Sequence, residues 1–153
     1  MATTGDHGDF DGAKVALFLG RELIVIRRDD RPDIPFPGMW DFPGGGREGV
    51  ETPFETAARE TREEIGLTLT AADVTWQRRF AREGQRPVWF FVARLPAARQ
   101  ARVVLGDEGQ GWRMADVDTV LHWPDVAGDL QGRLALWRAG GAACGGSPAG
   151  LSA

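Results

Sequence analysis

The stretch from Gly44 to Leu67 constrains this chain more than any other. Three consecutive glycines, Gly44-Gly45-Gly46, are followed after a short polar loop by Thr52-Pro53-Phe54-Glu55 and an unbroken run to Ile65-Gly66. Thr52 is placed to accept from the backbone of Glu55 while Glu55 reaches back, and Pro53 suits the first helical position. Gly66 is the residue that ends a helix in the left-handed region. The spacing predicts a helix from Thr52 to Ile65. At about 100° per residue, Phe54, Ala57, Ala58, Thr61 and Ile65 form one stripe that needs an apolar surface to cover it. Glu60, Glu63 and Glu64 share the adjoining face, while Glu55 and Arg62 point to water.

That surface is supplied by strands. Lys14–Leu19 and Glu22–Arg28 flank Gly20-Arg21 and read as a β-hairpin. Asp29–Gly38, rich in proline and aspartate, reads as a loop. Trp40-Asp41-Phe42 reads as a short strand that the prolyl-triglycine Pro43–Gly46 ends. Val74–Arg82 and Pro87–Leu95 form a second hairpin, Ala101–Leu105 and Gly111–Met114 are shorter strands, and Val126–Arg138 is a second helix burying Leu130, Leu134, Leu136 and Trp137. Strands, a helix, more strands and a last helix predict an α+β fold, a mixed sheet sandwiched between helices. A chain of 153 residues makes one domain. It is expected over 13–138, with a loose polar N-terminus over 1–12 and a disordered small-residue tail over 139–153.

Composition narrows the function. The formal charge of -4 argues against bulk electrostatic binding to nucleic acid. One cysteine, Cys144, rules out a disulfide framework and a cysteine-based zinc cluster. No apolar run reaches a membrane span, and the first residues lack the basic and apolar regions of a secretory signal, so a cytoplasmic setting is expected. His7 and His122 have no ligand partner at useful spacing.

Three carboxylates at i, i+3 and i+4 repel one another and cost an isolated helix a few tenths of a kcal/mol, roughly, per pair. A divalent cation removes that repulsion. Hard carboxylate oxygens with no His or Cys beside them favour Mg²⁺ or Mn²⁺ over zinc. The three glycines let backbone approach closely enough for a carbonyl to turn towards the metal. A lone Glu-Glu pair is most often a solvated helix face, but the register here is fuller. Gly45, Glu51, Arg59, Glu60, Glu63, Glu64 and Gly66 resemble the box of the Nudix hydrolases, and a chance match at one start is on the order of 10⁻⁹. Leu67 fills one aliphatic position of that box, and Thr61 departs from the other.

The resemblance, specific in the box and general over about residues 13–138, implies the Nudix fold and Mg²⁺-dependent hydrolysis of a pyrophosphate bond in a nucleoside diphosphate linked to another group. Glu60, Glu63 and Glu64 would be metal ligands with the Gly45 carbonyl, and Arg59 would orient the cluster through Glu51. Family members differ in their general base. It is a box glutamate here or Glu108, on the Gly-rich loop before Trp112, with Asp107 as its competitor. Arg27 or Arg28 would hold a phosphate, and Trp40, Phe36, Trp76, Trp89 and Phe91 are the aromatic candidates for stacking on a base. Trp40-Asp41-Phe42-Pro43 is similar to MutT-like enzymes acting on nucleoside triphosphates, including oxidised ones. The alternatives are an ADP-sugar or dinucleoside polyphosphate pyrophosphatase and, in another class, a non-catalytic nucleotide-binding regulatory module. Glu83 stands where ADP-ribose enzymes of the family carry proline, against that substrate. The expected partner is a nucleotide, with no nucleic acid and no membrane; a homodimer is left open.

Overall fold

A computed structural model describes residues 8–141, so the start over 1–7, the tail from 142 onwards, His7 and Cys144 lie outside the described residues. Seven strands form one mixed sheet: β1 (Gly12–Leu19), β2 (Glu22–Arg27), β3 (Trp40–Asp41), β4 (Gly44–Gly46), β5 (Val74–Arg82), β6 (Gln85–Leu95) and β7 (Gly111–Ala115). Helix α1 (Pro53–Ile65) lies on one face, and α2 (Val117–His122) and α3 (Leu130–Leu136) lie on the other. The expected sandwich of sheet between helices is what the chain forms.

Central β1 runs parallel to β6 along its whole length. Its side chains alternate between two cores, Val15 and Leu17 towards α1 and Ala16 and Phe18 towards α2 and α3. Strand β6 does the same: Phe90 and Val92 face one core, Phe91 and Ala93 the other. Burial on both faces is why these strands read as continuous apolar runs. Over Phe90–Ala93 the alternation of β6 therefore leaves neither face free to line a binding pocket.

The first hairpin is short. Only Phe18–Leu23 and Leu19–Glu22 pair across β1 and β2, after which the strands diverge like a fork. The segment 40–46 fills the fork, pairing first with β2 through Trp40-Asp41 and then with β1 through Gly44–Gly46. Thus Gly44–Gly46 continues the sheet rather than ending it. Glycine is required on both sides of that contact: a Cβ on Gly44 would stand 2.2 Å from the Ala13 carbonyl oxygen, and one on Gly12 would stand 2.4 Å from that of Gly45. Upstream, the loop over 28–39 is closed at its neck by Arg28 N–H to Met39 O (2.8 Å) and Gly38 N–H to Asp29 O (2.9 Å).

Other expectations are corrected. Phe10 is buried and roofed by the Arg47 guanidinium, so order begins before residue 13. Ala101–Leu105 is no strand: Ala97–Arg102 coils as a 3₁₀ helix, and the chain beyond it spends backbone donors on the end of α1. The last helix starts at Leu130, not Val126, because Val126 bridges to Trp40. Leu136 is exposed, whereas Leu130, Leu134 and Trp137 are buried. The helical path continues through a π-turn to Gly141, into the segment expected to be disordered. Helix α2, six residues capped by Asp116, had no counterpart in the sequence reading.

Candidate functional site

Helix α1 forms as its termini require. Thr52 Oγ1 accepts from Glu55 N–H (3.1 Å), Glu55 Oε1 accepts from Thr52 N–H (2.8 Å), and Gly66 closes the helix at φ 74°. Ala57, Thr61 and Ile65 are buried against the sheet. Thr61, the departure from the aliphatic pattern, turns its hydroxyl back to the Ala57 carbonyl at 2.7 Å, so it packs without an unpaired polar atom.

The three glutamates of α1 differ in environment. Glu64 is largely buried and accepts from Gly44 N–H at 2.9 Å. Desolvation pushes its carboxyl up to about 8, with nearby Glu60 and Asp41 adding and Lys14 opposing. Glu60 is half-buried and also raised, first by desolvation and then by Glu63, against Arg59 and Lys14. Glu63 is exposed at 58%, against 19% for Glu60. Arg59 binds two of the three. Its Nε donates to Glu51 Oε2 at 2.6 Å, Nη2 to the Gly46 carbonyl at 2.8 Å, and Nη1 to Glu60 at 3.3 Å and Glu63 at 3.2 Å. That contact holds Glu51 below the usual carboxylate range, and Glu51 in turn keeps Arg59 firmly charged. With Glu63 drawn to Arg59 and Glu64 drawn to Gly44, no three acidic side chains close on one point among the described residues.

Opposite α1, the fork carries a buried ion cluster. Asp41 is 6% exposed. Its Oδ2 accepts from Lys14 Nζ (2.9 Å) and Arg28 Nη1 (2.8 Å), and its Oδ1 accepts from Phe42 N–H (2.8 Å). Lys14, the one lysine of the chain, also donates to the carbonyls of Phe42 and Gly44. Two cations and a backbone donor satisfy a carboxylate that burial alone would make costly. Neither Lys14 nor Asp41 stood out in the sequence. The usable signal was an acid inside the apolar Trp40–Phe42 run, since a buried acid needs a paired base.

Two cavities meet at Arg28 and Asp41. The smaller, about 120 Å³, is lined by Glu64, Glu108, Arg28, Asp41, Asp29 and Arg31, among others. The larger, about 470 Å³, runs past Lys14, Gly45, Phe36, Val88 and Arg133. The fold thus brings Glu64, Glu108 and Arg28 together across a distance in sequence, with Glu60 and Gly45 beside them: a Cβ on Gly45 would stand 2.6 Å from the Glu60 carboxyl. Asp107 lines neither cavity.

Two candidates lie elsewhere. Trp40 follows the strand alternation away from Asp41 and stacks on Trp123, ring centres 5.3 Å apart. Arg27 covers the Trp40 ring and donates to the Gly38 carbonyl. Neither lines either cavity. The other aromatics divide: Trp76 is core, while Phe36 is exposed at the larger cavity.

No helix among the described residues is long and apolar enough to cross a membrane. A sequence profile of the NUDIX domain matches residues 10–133. An RNA pyrophosphohydrolase of Halorhodospira halophila is 36% identical over 95 residues, which is 50% of this chain and 52% of that protein. The chain thus spans about half the length of that relative. The MutT protein of Methanosarcina mazei Go1 superposes with a TM-score of 0.66 at 21% identity, covering 84% of this chain and 91% of that one. A bifunctional NMN adenylyltransferase/ADP-ribose pyrophosphatase of Francisella tularensis, complexed with AMP and a Mn ion, gives 0.66 at 16% identity, over 87% of this chain and 42% of that one. With the profile match covering both cavities' principal residues and most of the sequence, the chain belongs to the NUDIX domain family.

Proposed function

We propose that this protein hydrolyses a pyrophosphate bond in a nucleoside triphosphate, ordinary or oxidised, with Mg²⁺ or Mn²⁺. One observation carries the reading: Glu64 and Glu108 line the same small cavity, which opens at Arg28 and Asp41 into a cleft of nucleoside size. Family membership sets the class of reaction.

The donor set suits a hard cation. Glu60 and Glu64 are crowded and desolvated, and both are shifted towards holding a proton that a cation would displace. Glu60, Glu63 and Glu64 would hold the metal, with the Gly45 carbonyl as a further oxygen. When bound, the cation supplies positive charge against the phosphate oxygens and acidifies water.

The chain's own groups do the rest. The Arg59–Glu51 pair and the bond from Arg59 to Gly46 fix the glycine strand against α1. Arg28 spends Nε on the Pro35 carbonyl and one Nη1 donor on Asp41, leaving guanidinium donors for a phosphate oxygen at the junction of the cavities. Glu108 accepts the proton of the attacking water. Phosphoryl-type transition states ask mainly for position and charge, which this arrangement supplies.

The test is pyrophosphate and phosphate release with Mg²⁺ and with Mn²⁺. The panel holds nucleoside triphosphates, an 8-oxo triphosphate, ADP-ribose, a dinucleoside polyphosphate and 5′-triphosphorylated RNA. Turnover should be highest on a triphosphate, vanish in EDTA and return with Mg²⁺. Binding without release on every member would leave the non-catalytic module as the reading.

A further inference from the structure

We infer that Gln110 is a positioning residue for Glu108, and that the Glu108 loop is set in place before substrate arrives. This rests on the reading of Glu108 as proton acceptor.

The loop is tied at both ends. On the α1 side, Val104 N–H donates to the Ile65 carbonyl (3.0 Å) and Gly106 N–H to the Glu64 carbonyl (2.9 Å). These are acceptors that a helix C-terminus leaves free. The approach is so close that a Cβ on Gly106 would stand 2.1 Å from the Glu63 oxygen. On the sheet side, Gln110 N–H donates to the Arg27 carbonyl at 2.8 Å, next to the last β2–β7 pair, Arg27–Gly111. The main chain then turns away at Gly109, φ 94°. The Gln110 side chain takes over where the backbone has left, donating from Nε2 to the next carbonyl, that of Arg28, at 2.8 Å. Gln110 therefore holds two successive carbonyls with one backbone and one side-chain donor.

Between the anchors Gly106 and Gln110 only Asp107, Glu108 and Gly109 remain. That span is too short to swing as a lid while both anchors hold. Glu108 lies on the same cavity as Glu64, and the carbonyl that Gln110 grips belongs to the residue whose guanidinium binds Asp41. Gln110 so ties the place of Glu108 to the phosphate side of the cleft. The ladder on β2 is complete without the amide, which locates its effect in the loop.

The experiment compares Gln110→Met, Glu108→Gln and the double variant. Each is assayed with Mg²⁺ on the panel member turned over fastest, with thermal melts alongside. Met keeps the bulk and removes the donor. Gln110→Met should lower kcat about 3- to 10-fold, the range of one lost hydrogen bond, with KM and Tm near those of the unaltered protein. In the Glu108→Gln background the same change should cost less than about twofold, because groups acting as one unit are not additive. Unchanged kcat in Gln110→Met, or an equal loss in both backgrounds, overturns the positioning role while leaving Glu108 as acceptor. Full turnover in Glu108→Gln overturns the reading of Glu108, and this inference with it.

Discussion

Glu64 makes the stability of the metal-free protein fall with rising pH. Its carboxyl is pushed up to about 8 in the fold, whereas an exposed glutamate titrates near 4.3, roughly. Between those values the folded protein keeps a proton that the unfolded chain has released. The group's stabilising contribution is complete below the lower value and is lost as pH rises through the upper one. The slope from one such group approaches about 1.4 kcal/mol per pH unit within the window. Glu64→Gln removes the titration and keeps an oxygen to accept from Gly44 N–H. In EDTA at pH 8, the slope taken over that window makes the Gln variant more stable than the unaltered protein by about 5 kcal/mol at most, or about 10–20 °C in Tm for a domain of this size. At pH 5 the difference should shrink to about 1 kcal/mol. Millimolar Mg²⁺ at pH 8 should narrow the gap by stabilising the carboxylate form. The assay is urea unfolding at both pH values, with EDTA and with Mg²⁺. Equal pH dependence of the two proteins in EDTA would refute the argument.

Further outcomes follow from other contacts. Thr52→Ala removes the acceptor for Glu55 N–H and should cost about 1 kcal/mol, seen as a lower urea midpoint with turnover per folded molecule retained. Asp41→Asn strips the countercharge from Lys14 and Arg28 and should cost about 2–4 kcal/mol; adding Lys14→Met should recover part of it in a double-mutant cycle. Phe10→Ala should cost about 3 kcal/mol by denaturant unfolding, since the ring is fully buried. A cost below about 0.5 kcal/mol, the surface range, would return Phe10 to the loose N-terminus.

What could be read from the sequence was what is local. The cap, the proline and the terminal glycine of α1 act within a turn or two, so its boundaries and acidic face were legible. Glycines carry no side-chain pattern, so β4 was invisible until β1 was seen to press on it. Val103-Val104-Leu105 has strand composition, but the open carbonyls of α1 claim the donors of Val104 and Gly106. Trp40 was singled out for its ring. The pairing of β3 with β2 turns that ring away from the cavities and leaves Asp41, the residue passed over, between the two cations. Glu108 was legible as an acid on a glycine-rich loop. The reason it reaches Glu64 lies in bonds to α1 and β2, far away in sequence.

The closed neck of the loop over 28–39 separates two jobs within one segment of chain. The bonds from Arg28 to Met39 and from Gly38 to Asp29 fasten the base, and Arg28 links the loop above to the acid below, Nε to the Pro35 carbonyl and Nη1 to Asp41. Phe36, which borders the larger cavity, rides on the part above them. Each doubling of a loop's length costs only about 0.6 kcal/mol in closure entropy. A change within the segment reaches the acid through Arg28 and its bond to Pro35, so a loop that keeps those two contacts can vary at Phe36 and leave Asp41, Lys14 and Arg28 in register.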